Sequence, residues 1–244
     1  PRPTAAHLLR LTAAGHGPPR LVTVSRLAVM PYAVPPTRTA AVVRQLRNEI
    51  VTGELRPGTL IKDAELAARL GVSITPVREA IAQLSVEGLI DIAPNRTRHV
   101  TKVTQKNALE LIDVMSVLAC AGFEWGVHNL TGTHLDLLRR RQKEFVEALA
   151  AGNVLAAGAA GADFSTTVIL ASGNRELQSM VDLVVARTTR ILAMSAESNL
   201  WSTWITGHDA IIELLEAGDR DGAVARYRQI YVEYRAQVER EPFD

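Results

Sequence analysis

The chain predicts a mainly α protein in two parts, an N-terminal winged helix-turn-helix followed by a C-terminal all-α antiparallel helical bundle. Three observations carry this prediction. Residues 59–104 run in the order helix, tight turn, helix, basic hairpin. Beyond residue 104 every stretch carries an apolar stripe at helical spacing, broken only by short turns rich in Gly, Asn, Thr and Ser. Charge is also divided: residues 37–106 hold eleven Lys/Arg against seven Asp/Glu, whereas residues 107–244 hold twelve against nineteen. A basic module joined to an acidic one suits a phosphate-contacting head with a separate regulatory body. The expected divisions are a tail over 1–36, the winged module over 37–104 and the helical body over 105–240.

In the tail, Pro1, Pro3, Pro18, Pro19, Pro31, Pro35 and Pro36 break any helix, so it reads as unstructured apart from a short strand at Leu21–Val24. It carries Arg2, Arg10, Arg20 and Arg26 and no acid, but lacks the apolar core and cleavage site of a secretory leader. Met30 is the expected natural start; a basic arm that touches DNA is the alternative.

The first helix of the head spans Thr37–Thr52, burying Val42 or Val43 with Leu46 and Ile50, and Gly53 closes it. Leu55-Arg56-Pro57-Gly58 forms a turn with Pro and Gly at its central positions. Asp63–Leu70 is a short helix stopped by Gly71. Thr75 can then cap a second helix whose first residue is Pro76, which has no N–H to leave unsatisfied there. Val77, Ala80, Ile81 and Leu84, at i, i+3, i+4 and i+7, form its buried stripe. Thr75, Glu79, Ala82 and Val86 face outward with Arg78 on the flank. Gly88 ends the helix, and Leu89–Ile92 and Arg98–Thr101 form two strands around the turn at 93–97.

A recognition helix enters the major groove N-terminus first, so small hydroxyl residues and an Arg belong in its first turn. The free N–H groups and positive end of the helix favour phosphate as well. The candidate DNA contacts are therefore Ser73, Thr75 and Arg78, with Arg69, Lys62 and Arg38 beside them and Arg96, Arg98 and His99 in the hairpin. Arg44 and Arg47 are further phosphate candidates; the alternative for each is a solvated surface charge.

Pro57-Gly58-Thr59-Leu60, Leu66–Ser73, Thr75–Ala80, Leu84, Glu87–Ile90 and Pro94-Asn95-Arg96 closely resemble the DNA-binding domain of the GntR family of bacterial transcription regulators. Ile74 stands where that family usually has Arg, which removes a groove contact. Thr97 stands where it usually has Gly, which stiffens the tip of the wing. The resemblance implies binding to double-stranded DNA at a palindromic operator as a homodimer.

Six helices are expected in the body: Asn107–Asn129, Gly132–Ala151, Val154–Ser172, Asn174–Ser195, Trp201–Ala217 and Arg220–Val238. Short connections, including the one at Ser198-Asn199, make consecutive helices antiparallel neighbours. Phe164 with Leu170–Asn174, His208–Asp219 and Ala223 resemble the FCD ligand-binding domain of the FadR branch of the GntR family. Many such domains hold a divalent metal on an Asp and three His. Laid on this chain, the motif puts Gly161, Ser165, His208 and Ile230 at those positions, so one ligand of four survives and neither a metal nor any other cofactor is expected. Asp163 is offset by two residues and points elsewhere.

Met180, Val184, Arg187, Ile191 and Met194 share one helical face, which puts Arg187 in the middle of an apolar stripe. A guanidinium there demands a partner, either an internal Asp or Glu or the carboxylate of a small-molecule effector. The candidate effector pocket comprises Arg187, His208, Ser165, Arg190, Trp204 and Tyr227. Tyr227, Tyr231 and Tyr234 form a stripe that either packs the core or lines the pocket.

The expected function is a ligand-responsive repressor working in the cytoplasm. A lone Cys120 excludes an intramolecular disulfide and suits a reducing compartment. No apolar run reaches the roughly 18 residues that would span a bilayer, so no membrane partner is expected. The alternatives are a constitutive DNA-binding protein and a hydrolase using Ser165 and His208. The hydrolase fails because Ser165 lies in mid-helix, without the strained elbow that presents a nucleophile.

Overall fold

Thr37 opens the first helix, its hydroxyl accepting a 3.1 Å hydrogen bond from the Ala40 N–H. The computed structural model of the chain describes residues 37–194 and 200–240. The expected tail with its strand and Met30, the Met194 side chain and the turn at Ser198-Asn199 lie outside the described residues. The head consists of α1 (Arg38–Val51), β1 (Leu60–Ile61), α2 (Asp63–Leu70), α3 (Ile74–Val86), β2 (Ile90–Ile92) and β3 (Arg98–Val100). Both Val42 and Val43 are buried, not one of them, and Leu46, Val77, Ala80, Leu84 and Leu89 are wholly excluded from solvent.

Two local features differ from the sequence reading. α3 begins at Ile74, with extended Ser73 in the capping position, so Pro76 is the third helical residue and not the first. None of the first four helical N–H groups has an intrahelical acceptor, so proline is accommodated there as easily as at the first position. The wing also has a third strand. The order is β1-β3-β2, all antiparallel, with Leu60 opposite His99 and Ile61 opposite Arg98 on one side and Ile90 opposite Val100 on the other. A two-residue strand carries no readable alternation, which is why the pattern missed it.

The body comprises α4 (Gln105–Val127), α5 (Gly132–Ala150), α6 (Val154–Ala171), α7 (Arg175–Met194), α8 (Leu200–Glu216) and α9 (Arg220–Val238). α4 lies against α6, α7 and α9, while α5 covers α6 and α8. Phe123, Phe164, Ile211, Tyr227 and Ile230 are wholly buried at its centre. α4 and α6 meet backbone to backbone at Gly126, where a Cβ would fall 1.8 Å from the Val168 carbonyl oxygen. α6 corrects one expectation, since its 18 residues and mean hydropathy of 1.5 do meet the length and composition of a membrane span. Its Ala and Gly content accounts for this: a helix flanked by α4, α5 and α7 needs small apolar residues on several faces.

Head and body share a seam. α7 packs on α1, and Ala186 reaches the head's core. Gly88, which closes α3 in the left-handed conformation (φ 72°), lies beneath Arg187, and a Cβ there would come within 2.9 Å of the Arg187 side chain.

Candidate DNA-binding face and ligand cavities

The N-terminal turn of α3 is open to solvent. Ser73, Ile74, Thr75 and Arg78 are exposed, as are Glu79 and Ala82 along the same side. Asp63, at the start of α2, is nearly buried and organises this face. It accepts a 3.0 Å hydrogen bond from Arg78 Nε and lies 3.1 Å from Arg98 Nη1 of the wing. One carboxylate thus aligns the recognition-helix arginine with the wing arginine. Because Arg78 is held through Nε alone, both terminal amino groups of its fork remain available for a base edge or a phosphate. Thr39 donates to Glu79 at 2.6 Å, which brings the start of α1, with Arg38 exposed beside it, up to the same turn of α3.

The wing tip is a tight turn closed by Arg96 N–H to Ala93 O (2.8 Å) and Ala93 N–H to Thr97 O (2.9 Å). Asn95 Oδ1 accepts from both the backbone N–H (3.1 Å) and the hydroxyl (2.7 Å) of Thr97. Thr97 therefore braces the tip, and the left-handed residue is Arg96 (φ 63°). That conformation costs a non-glycine residue roughly 1 kcal/mol, and it turns an exposed guanidinium outward.

Besides Arg78 and Arg98, three more of the cations considered for DNA contact have partners inside the head. Arg69 forms a two-pronged pair with Glu49 (2.6 and 3.0 Å), whose carboxylate is only 4% exposed. Arg47 does the same with Glu87 (2.6 and 2.9 Å), tying α1 to the end of α3. Lys62 pairs with Glu65 at 2.7 Å on the surface. A buried carboxylate without a cation would be strongly destabilising, so Arg69 serves the fold first. His99 sits half-buried in β3 between Leu60 and Asp91.

The expected effector pocket divides into two cavities. The first, about 60 Å³, lies within the body and is lined by Ser165 and Trp204 together with Met115, Ile169, Trp201 and Tyr234. His208 stands behind it, wholly buried, stacked on Phe164 with ring centroids 3.8 Å apart. Gln142 orients the imidazole. Its Nε2 donates to Ile205 O (3.0 Å) and Asp209 Oδ1 (2.8 Å), leaving Oε1 to accept from His208 Nδ1 at 3.2 Å. His208 Nε2 then presents an unpaired lone pair to the interior. Burial depresses its pKa to about 3, so the ring is neutral at physiological pH. Tyr227 stacks on Phe123 at 4.2 Å and is also behind the cavity wall. Its hydroxyl faces those of Ser165 and Tyr231 without meeting either in hydrogen-bonding geometry, and burial raises its pKa. The indole N–H groups of Trp201 and Trp204 and the Tyr234 hydroxyl likewise have no partner among the described residues.

Ile230 fills the space beside His208, pressing so closely on Gly207 that a Cβ there would fall 2.4 Å from it. Asp163 points outward to Arg141 at 3.4 Å. Among the described residues, no three His, Cys, Asp or Glu side chains are grouped to hold a metal.

Arg187 and Arg190 are not in this cavity. They line the second one, a cleft of about 270 Å³ at the seam, with Gly88, Thr101, Lys102 and Asn107. The stripe on α7 guided burial only in part: Val184 and Ile191 are buried in the body's own core, Met180 is 48% exposed, and half-buried Arg187 meets the head at Gly88. A helical wheel cannot register a contact made with a different module. Sequence reasoning also missed Gln142 and Trp201, and left Tyr234 open between core packing and pocket lining. Tyr234 could have been weighted more heavily from its place in the tyrosine stripe, whereas Gln142 gave no signal.

An exposed helix-turn-helix with a braced basic wing, joined to a helical body that encloses a cavity, defines a DNA-binding regulator of transcription. Residues 38–100 match the bacterial regulatory proteins of the gntR family, and residues 110–232 match the FCD domain. The chain belongs to the GntR family, as a member with an FCD body. It is 29% identical over 187 residues to a probable D-xylose utilization operon transcriptional repressor of Paenarthrobacter nicotinovorans, spanning 75% of this chain and 82% of that one. Its fold is shared with Escherichia coli McbR/YncC (TM-score 0.69, 24% identity, 82% and 96% of the two chains). A GntR transcriptional regulator from Rhodococcus sp. RHA1 shares it equally (TM-score 0.69, 22% identity, 82% and 97%).

Proposed function

We propose that the chain is a cytoplasmic repressor that binds a palindromic operator as a homodimer, with its grip on DNA set by a small molecule held in the body. The observation that carries this reading is the Asp63-centred face, where Arg78 of the recognition helix and Arg98 of the wing converge on one carboxylate. Ser73, Thr75 and Arg78 read the major groove, while Arg38, Arg96, Arg98 and His99 meet phosphates on either side. Arg69 and Lys62 act indirectly, by holding α2 in place. Exposed Val114 and Val117 on α4 and Val232 on α9 offer an apolar surface for the second copy.

For the effector, Ser165 and Trp204 supply contacts directly, and His208 and Tyr227 shape the wall behind them. Among the described residues the lining of the body cavity carries no cation, so it favours a neutral, hydroxyl-bearing ligand over the carboxylate that Arg187 had suggested. Unpaired Trp and Tyr donors around an apolar wall suit such a ligand, and the relative named for a D-xylose operon is in keeping with it. A second reading, constitutive DNA binding without an effector, is favoured by the small size of the cavity, about 60 Å³, room for a few waters where ligand pockets are usually several times larger.

Thermal melts of the full-length protein against D-xylose, other pentoses and simple carboxylates separate the two readings. Stabilisation that is lost in Trp204→Ala supports the sensor, and no response to any member supports constitutive binding. Two protected half-sites about one helical turn apart, with two chains per duplex, are expected in footprinting. A single half-site bound by one chain would overturn the dimeric reading.

A further inference from the structure

The geometry points to a second ligand site, separate from the body cavity: an oxyanion site in the seam between head and body, built by Arg187, Arg190 and Thr101 and taking a small carboxylate or phosphate ester. Arg190 is 2% exposed, yet its Nε and Nη2 have no hydrogen-bond partner among the described residues. Arg187 Nε and Thr101 Oγ1, which line the same cleft, are also buried without partners. Buried guanidinium N–H groups left unsatisfied are among the costliest omissions a fold can make. Three guanidinium N–H groups and one hydroxyl in this state belong to residues that line a single cleft of about 270 Å³, large enough for a molecule of several heavy atoms.

The surrounding charges leave room for an anion. Lys102 and exposed Glu110 line the cleft, and Asp91 of β2 is the acid whose field reaches Arg190. Asp91 is itself exposed and makes no hydrogen bond or ion pair to Arg190 among those found in the structure. Three cations therefore face two carboxylates, neither of which engages the buried guanidinium. Arg190 stays protonated, since burial lowers its pKa only to about 10. Two neighbouring guanidinium forks suit an acceptor that presents two or three oxygens at once.

The placement gives occupancy a consequence. Arg187 lies directly on Gly88 at the foot of α3, and Asp91 belongs to the wing. An anion drawing α7, Thr101 and the base of the wing together fixes the head's orientation on the body, so anion and DNA affinities are coupled reciprocally.

The test is calorimetric titration of the full-length protein with inorganic phosphate and, separately, with succinate, at ionic strength held constant with chloride. Saturable binding of one equivalent per chain is expected for at least one probe, and whichever binds more tightly identifies the ester or the carboxylate as the source. Arg190→Gln should weaken that binding about tenfold or more, and Thr101→Val, which preserves shape, about threefold. Asp91→Asn should tighten it by removing a competing charge. Arg78→Ala should leave it unchanged, which separates this site from phosphate bound on the DNA face. If Arg190→Gln does not fold, Thr101→Val and Asp91→Asn carry the comparison. Absence of saturable binding by both probes, wild-type affinity in Arg190→Gln, or an Asp91→Asn protein that is destabilised and binds no anion would overturn the proposal. None of these results bears on Arg78-dependent operator binding, so the two readings fail separately.

Discussion

The head and the body treat most of their buried polar groups differently, although Arg98 Nε and Thr101 Oγ1 of the head are left unpaired like several groups of the body. In the head, the buried or nearly buried acids hold arginines: Glu49 with Arg69, Glu87 with Arg47, Asp63 with Arg78 and Arg98. In the body, His208 Nε2, the Trp201 and Trp204 indoles and the Tyr227 and Tyr234 hydroxyls are buried without partners, and the Arg190 guanidinium is almost so. A surface that must present fixed groups to a rigid duplex gains from internal saturation, which locks side chains before DNA arrives. A surface that must respond to a small molecule gains from donors and acceptors left open until that molecule completes them.

The contrast can be broken most severely at Glu49. Glu49→Gln should destabilise the protein by about 2–3 kcal/mol, discounted from a fully buried pair because Arg69 is half exposed. Chemical denaturation reads this directly, and a change below about 0.5 kcal/mol would mean that the head does not depend on its internal pairs.

His208 probes the body. Its folded pKa is depressed to about 3 while the unfolded side chain titrates near 6.5. Over that window the unfolded state binds the proton and the folded state does not, so stability is complete above pH 6.5 and falls as pH drops towards 3. Between pH 7 and pH 5 this single group should cost about 1.9 kcal/mol, and His208→Asn should flatten that acid limb. Equal slopes in the two proteins would show that the imidazole is accessible to protons. The smallest effect is expected at the wing tip, where Thr97→Gly removes the Asn95 brace and should cost about 0.5–1 kcal/mol in stability.

How much of this was legible depended on the range of each interaction. The buried stripe of α3 and the stop at Gly88 could be read because their causes lie within four residues of one another. The start of α3 could not be read from Pro76, since several first-turn positions tolerate proline equally. Arg187 was recognised as a charge on an apolar face, yet its destination was not, because the seam forms only when α7 docks on α1. The pairing of Glu49 with Arg69 and the clasp of Gln142 on His208 join residues 20 and 66 positions apart. No periodicity reports such contacts. Thr97 was read as stiffening the tip, and the structure supplies the means, a side-chain bond to Asn95.

The most direct test of the account is the operator affinity of the full-length protein and of Arg78→Ala, measured by fluorescence anisotropy on a duplex selected from a random pool. The account predicts binding weakened by about 1–3 kcal/mol, some tenfold to a hundredfold, with the thermal melt unchanged. Equal affinity in the two proteins would contradict it, because the recognition helix would then be docking by some face other than the one Asp63 sets in place.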